Sequence, residues 1–243
     1  MESVLITGAS SGIGEQLAMD YAADGYLVYA CGQSEERLEG LKKYNPNIHP
    51  IRCNVTELDE VHKAFAELSL FPNLIILNAG TCEYIEHGQI DVDLFKRIYD
   101  VNVFGLLNCI QVLQDNFSNK TRLVIVGSTA SYIPLPRAEA YGSSKAAVAY
   151  IANSLAVDLA PQGVKITLVS PGFVKTPLTD KNDFAMPMLV STELASEKIR
   201  QGIDMGKTEI HFPLKFSLLL KVISLLPTSL QLAVVKRMTR RQR

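Results

Sequence analysis

Short apolar runs rich in β-branched residues alternate with longer stretches of helical periodicity along most of this chain, and that alternation restricts the fold more than any other feature. Strands are expected at residues 4–7, 27–31, 48–53, 74–77, 123–126 and 165–169, with helices at 12–23, 35–43, 57–68, 92–117 and 141–159 between them. The βαβα order implies a parallel sheet with helices on both faces. Right-handed crossovers then wind the sheet in both directions, giving an α/β fold with a doubly wound parallel sheet in a single three-layer α/β/α domain. Ligands of such sheets collect at the carboxyl ends of the strands, where the winding reverses. After Pro171 the alternation weakens, and 177–188 reads as loop, 192–205 as helix and 209–212 as a short strand. Residues 1–213 are therefore expected to form the domain, with a substrate loop within 177–205. Residues 214–243 read as an apolar and basic extension.

At 243 residues the chain is long enough to bury a large core without metal or disulfide support. Cys31, Cys53, Cys82 and Cys109, like His49, His62, His87 and His211, are scattered without metal-ligand spacing, so neither a zinc site nor a disulfide framework is expected. The start, Met-Glu-Ser running straight into a strand, has no basic n-region and no cleavage site, which gives the expectation of a cytoplasmic protein. A net charge of -1 argues against nucleic acid as the main partner. That sum conceals an asymmetry. Residues 206–243 hold eight Lys and Arg against the single acid Glu209, a net of +7, which leaves -8 on residues 1–205.

Directly after the first strand stands Thr7-Gly8-Ala9-Ser10-Ser11-Gly12-Ile13-Gly14, opening a helix. Gly8 allows a sharp turn out of the strand, Gly12 a close backbone approach to a pyrophosphate, and Gly14 close packing of helix on sheet. The helix N-terminus supplies amide donors for the anion. This is the dinucleotide-binding context of a Rossmann sheet. The same residues match the Gly-x-Ser-x-Gly elbow of hydrolases, but a hydrolase elbow follows a central strand and needs an acid and a histidine later in the chain. Here the motif follows the first strand.

Tyr141 and Lys145 are spaced i, i+4 on one face of an expected helix. A free tyrosine titrates near 10, and a neighbouring ammonium favours its phenolate, so the pair is expected to place a proton-exchanging phenol near the working range. The strand at 123–126 ends at Gly127-Ser128, and Asn78-Ala79-Gly80 ends another, so both lie where ligands collect. Asn102 is a polar amide flanked by Val101 and Val103 inside a long helix.

Taken in order, the loop from Thr7 to Gly14, Asn78-Ala79-Gly80, Asn102, Ser128, Tyr141-x-x-x-Lys145 and Pro171-Gly172 make the chain similar to the short-chain dehydrogenase/reductase family. The resemblance runs from about residue 3 to 180 and more loosely to Pro213. It implies an NAD(P)-dependent oxidoreductase that moves hydride between a nicotinamide and a carbonyl or alcohol. Tyr141 would be the general acid/base, and Lys145 would lower its pKa and hold the ribose. Ser128 would hydrogen-bond the substrate oxygen, and Asn102 would hold a water that relays protons to Lys145. It implies cofactor contacts from Gly8, Ser10, Ser11, Gly12, Ile13, Gly14, Asn78, Ala79, Gly80, Tyr141 and Lys145. Asn54-Val55 would meet the adenine, with Asn where relatives commonly carry Asp. Pro171, Gly172, Val174 and Thr176 would wrap the nicotinamide. A dinucleotide sensor without turnover, or an epimerase or dehydratase using the same tyrosine, would be built on the same fold.

NAD binders place an acid at the end of the second strand, and NADP binders an Arg nearby. Here Gly32-Gln33-Ser34 follows that strand. With no carboxylate to repel a 2′-phosphate, and with Gln33, Ser34 and Arg37 as hydrogen-bonding groups, NADP(H) is favoured over NAD(H). The apolar loop residues Leu178, Phe184, Met186, Pro187 and Met188 point to a hydrophobic small-molecule carbonyl or alcohol substrate. The long helices around Asn102 and Tyr141 resemble those through which the family forms homodimers or homotetramers.

The stretch 216–226 is too short to span a bilayer, which takes about 20 residues. On a helical wheel Ser217, Lys221 and Ser224 form one narrow polar stripe and apolar residues fill the rest, so something is expected to cover this helix. Its own domain, a second subunit and peripheral contact with a membrane all fit, and Lys236, Arg237, Arg240, Arg241 and Arg243 would attract anionic headgroups.

Overall fold

The computed structural model describes residues 2–239. Seven parallel strands, β1 Ser3–Thr7, β2 Leu27–Gly32, β3 Ile48–Arg52, β4 Leu74–Leu77, β5 Arg122–Val126, β6 Lys165–Pro171 and β7 Glu209–Phe212, form one sheet in the order β3-β2-β1-β4-β5-β6-β7. The winding reverses between β1 and β4, which pair in register from Val4 against Leu74 to Ile6 against Ile76. The crevice for a ligand therefore opens where Thr7 and Asn78 leave the sheet.

Every residue of β1 is buried, as expected of a strand covered on both faces. Its side chains divide between two cores. Val4 and Ile6 pack with α1 Gly12–Ala23, α2 Glu35–Tyr44 and α7 Thr192–Asp204, whereas Leu5 faces α3 Leu58–Ala66, α5 Gly105–Leu113 and α6 Glu139–Asp158. Burial of each such aliphatic side chain contributes about 1.5–3 kcal/mol, so continuous apolar strands are what hold the middle layer between its helices.

The expected helix 92–117 is not one uniform helix. It runs as α4 Val92–Tyr99, a π-helical turn Asp100–Phe104 and α5 Gly105–Leu113, closed by a 3₁₀ turn Gln114–Asn116. The π turn admits one extra residue and puts Asn102 inside, 2% exposed. α6 begins at Glu139, two residues earlier than expected, so Tyr141 lies in its first turn, and Ser144, Lys145, Val148 and Ala152 form its buried face.

The extension folds as α8 Leu214–Ser224 and α9 Thr228–Thr239, packed on the domain through Ile133, Leu220, Ile223 and Val235. Of the basic end, Lys236 and Arg237 are placed on α9, while Arg240, Arg241 and Arg243 lie outside the described residues. Among the described residues no helix is long and apolar enough to cross a membrane.

Candidate active site

A cleft of about 720 Å3 opens over the carboxyl ends of β1, β4, β5 and β6. Its floor is fixed by a clamp between β1 and β4. The Thr7 hydroxyl oxygen accepts from the amides of Asn78 (3.0 Å) and Ala79 (3.1 Å), and Asn78 Nδ2 donates back to the carbonyls of Thr7 (3.1 Å) and Gly8 (3.3 Å). Gly8 sits at φ +67, where a Cβ would lie 2.8 Å from Ala79 Cα, and a Cβ on Gly14 would lie 2.3 Å from the Gly8 carbonyl oxygen. Only glycine at both positions lets the turn, the Asn78-Ala79 segment and the first turn of α1 meet. Ser11, the residue capping α1, makes no side-chain hydrogen bond to it. Donors of the first turn thus face the cleft without a side-chain partner, an arrangement suited to an anion.

On the opposite wall, Ser128 follows β5. Its Oγ accepts from the Ala130 amide (3.1 Å), which fixes the rotamer and leaves the hydroxyl proton available to a ligand. Tyr141 and Lys145 reach the same cleft from α6. The Lys145 ammonium donates to the Val126 carbonyl (3.0 Å) and lies 6.0 Å from the centre of the Tyr141 ring. Burial pushes the Tyr141 phenol up to about 12, and the neighbouring Cys82 adds to the rise while the Ser128 side chain opposes it. Burial also brings the Lys145 ammonium down to about 8. The ammonium's expected lowering of the phenol does not prevail here, because desolvation dominates both groups.

Asn102 makes three hydrogen bonds. Its Oδ1 accepts from the Thr81 amide (2.8 Å), and its Nδ2 donates to the Thr81 carbonyl (3.0 Å) and to Ser144 Oγ (3.0 Å). The side chain ties the segment after β4 to α6, and it does not line the main cleft.

Comparison with known proteins gives this geometry a lineage. Residues 2–186 match the family model described as short chain dehydrogenase. The chain belongs to that family. It is an oxidoreductase, as are its relatives. It is 31% identical to an uncharacterized oxidoreductase of Myxococcus xanthus (strain DK1622), with 97% of each chain covered. It is 32% identical to an NADPH-dependent 1-acyldihydroxyacetone phosphate reductase of Schizosaccharomyces pombe, over 79% of this chain and 64% of that protein. The fold matches a short-chain dehydrogenase from Sphingobium yanoikuyae in complex with NADPH at a TM-score of 0.80, with 23% identity and 88% and 89% of the two chains covered. It also matches a 3-oxoacyl-[acyl-carrier protein] reductase with bound NAD from Brucella melitensis at 0.75, with 21% identity and 87% and 89% covered.

Most of the residues singled out in the sequence converge on the cleft of this oxidoreductase. Gly8, Ser10, Ser11, Gly12, Ile13, Gln33, Asn54, Val55, Asn78, Ala79, Gly80, Ser128, Tyr141, Lys145, Pro171, Gly172, Val174 and Thr176 all line it. Gly14 and Ser34 do not: Gly14 is buried under Gly8, and Ser34 caps α2 from just outside. Gln33 Nε2 donates to Asn54 Oδ1 (2.8 Å), so these two residues form one unit across the ends of β2 and β3. No histidine lines the cleft among the described residues, which leaves Ser10 without the base a hydrolase elbow requires.

Sequence reading missed four contributors. Thr7, the first residue of the glycine loop, is the clamp, and nothing in the sequence marks its hydroxyl for that role. Thr179 braces the wrap segment, donating to the Val174 carbonyl (2.6 Å) and accepting from the Thr176 amide (2.9 Å). Arg97 and Glu83 meet at the rim in a two-pronged ion pair, 2.8 and 3.1 Å, which sequence separation hides.

Proposed function

We propose that this enzyme reduces the carbonyl of an apolar ketone or aldehyde, with NADPH as the favoured donor. The observation carrying the proposal is that Ser128, Tyr141 and Lys145 share one cleft with the glycine cradle. The uncapped turn of α1, with Gly8 and Gly12 denying any Cβ to the cradle, fits a dinucleotide pyrophosphate. Ser10, Ser11 and Ile13 would complete that contact, Asn54 and Val55 would border the adenine, and Pro171, Gly172, Val174 and Thr176 the nicotinamide.

When bound, the reduced nicotinamide supplies the hydride. Tyr141, held protonated at neutral pH by burial, is the acid that gives its proton to the carbonyl oxygen. The Ser128 hydroxyl donates to the same oxygen, and two donors on one atom stabilise its developing negative charge. The Lys145 ammonium supplies positive charge beside them and would hold the ribose hydroxyls. Asn102 acts as a positioning residue, bracing α6 against the segment after β4.

The preference for NADPH rests on Gly32, which offers no carboxylate to repel a 2′-phosphate, and on α2, whose capping Ser34 leaves the helix N-terminus without a side-chain partner. Its yeast relative's NADPH dependence supports the same choice. An apolar substrate is supported by Leu178 in the cleft and by the aromatic group beside it, in which Phe184 stacks edge-on against Tyr84 at 5.4 Å and against Phe173 at 6.0 Å. The test is net consumption of NADPH and of NADH against a panel of ketones and aldehydes of graded chain length. Consumption that rises with apolar length and is faster with NADPH supports the reading. Binding of NADPH with no consumption across the panel would assign the protein to sensing, and product isomers formed without net consumption to epimerisation.

A further inference from the structure

Two of the three polar residues of α8, Ser217 and Lys221, are engaged by the sheet, while Ser224 at its end is exposed. Ser217 is fully buried, its Oγ 2.7 Å from His211 Nδ1 and donating to the Pro213 carbonyl (3.0 Å), and Lys221 Nζ is 2.6 Å from Glu209 Oε2. Both partners lie on the edge strand β7. With Ser217, Leu220 and Ile223 turned inward, α8 presents other leucines outward. Leu214 is 62% exposed, Val222 62% and Leu225 85%, and Leu218 and Leu219 are about half exposed. Positions 214, 218, 222 and 225 follow helical spacing and form one continuous stripe. Leu230, Leu232 and Met238 of α9 are exposed as well. An exposed apolar stripe like that on α8 marks a docking site.

We infer that the α8–α9 face seats this protein on an anionic lipid surface. The charge around the apolar stripe selects the occupant. Lys215, Lys236 and Arg237 are exposed on these two helices, and the sequence has no acid anywhere from 210 to 243. Residues 1–205 carry the compensating -8. An anionic bilayer therefore attracts this face and repels the remainder, which fixes the orientation of docking. A second copy meeting the face about a two-fold axis would bring its own Lys215, Lys236 and Arg237 into the same interface, with no acid from 210–243 to offset them. Exposed leucines with a basic margin are the surface chemistry of an interfacial helix. The inner side of α8 also reaches the catalytic region, since the Phe216 ring lies 5.7 Å from Phe173. The docked face thus adjoins the aromatic group beside the cleft.

Flotation of the full chain with vesicles of phosphatidylcholine, with and without phosphatidylglycerol, tests the inference. The protein is expected to float only with the phosphatidylglycerol vesicles and to be released by high salt. Leu218→Glu with Val222→Glu places carboxylates on exposed positions and is expected to abolish flotation. Lys236→Gln with Arg237→Gln is expected to weaken partitioning about 30-fold. Sedimentation velocity and thermal melting of both variants in buffer report their assembly and folding. The inference is overturned if the unmodified chain does not float with phosphatidylglycerol vesicles, or if both folded variants float as it does. It is also overturned if the unmodified chain is an oligomer that Leu218→Glu with Val222→Glu dissociates, which would give the face to a second copy.

Discussion

Replacing Thr7 by Val preserves side-chain shape and removes only the hydroxyl that clamps β1 to β4. Thr7 is 1% exposed, and its oxygen is the acceptor for the amides of Asn78 and Ala79. A buried donor stripped of its acceptor costs about 1–3 kcal/mol. Both of these amides belong to half-buried residues at the cleft, which places each in the lower part of that range, for a total of about 2–4 kcal/mol. For a chain of this size that lowers the melting temperature by about 4–16 °C. Thr7→Ser, which keeps the acceptor and loses one methyl, should cost only about 0.8 kcal/mol. Because the same clamp holds Gly8 and Ala79 in contact, Thr7→Val is also expected to weaken NADPH binding about tenfold, equivalent to about 1.4 kcal/mol. Calorimetry and fluorescence titration of both variants provide the readouts. Thr7→Val melting no lower than Thr7→Ser, with NADPH affinity unchanged, would refute the clamp.

Asn102→Ala leaves the Thr81 amide without its acceptor inside the protein, and denaturant titration should show a loss of about 2–4 kcal/mol. For carbonyl reduction, kcat/KM should fall as pH rises through about 8, where Lys145 loses its charge, while alcohol oxidation should keep rising into the alkaline range because burial pushes the Tyr141 phenol up to about 12. Paired pH profiles check this, and a reduction rate that stays level well above pH 8 would contradict it. Gln33→Asp puts a carboxylate at the end of β2 and breaks the bond to Asn54, so the ratio of NADPH to NADH affinity should drop at least about tenfold. An unchanged ratio would place the 2′-phosphate elsewhere.

The sheet was legible because its central strands are buried on both faces. Runs such as Leu74 to Leu77 stay apolar throughout, and the turns between them reset the periodicity. The cleft was legible for a related reason: strand ends in a parallel sheet collect ligands, so motifs at strand ends meet in space. The π turn was hidden, since one extra residue per turn changes no composition. Asn102 between two valines was its only mark. The Tyr141 phenol was misjudged because spacing reports which groups are neighbours and says nothing of how much water each has lost. The partners of α8 were hidden for want of β7: a helical wheel identifies Ser217 and Lys221 as polar, but only the fold brings His211 and Glu209 to meet them.

The central claim is that Tyr141 donates the proton when the carbonyl is reduced. Tyr141→Phe removes one oxygen from the cleft and leaves the glycine cradle and the Thr7 clamp as they are. Single-turnover oxidation of bound NADPH, measured alongside its binding by fluorescence, separates chemistry from affinity. The expected result is a rate about 10²–10⁴-fold lower at nearly unchanged NADPH affinity. A variant that turns over carbonyl substrates at close to the unmodified rate would contradict the claim.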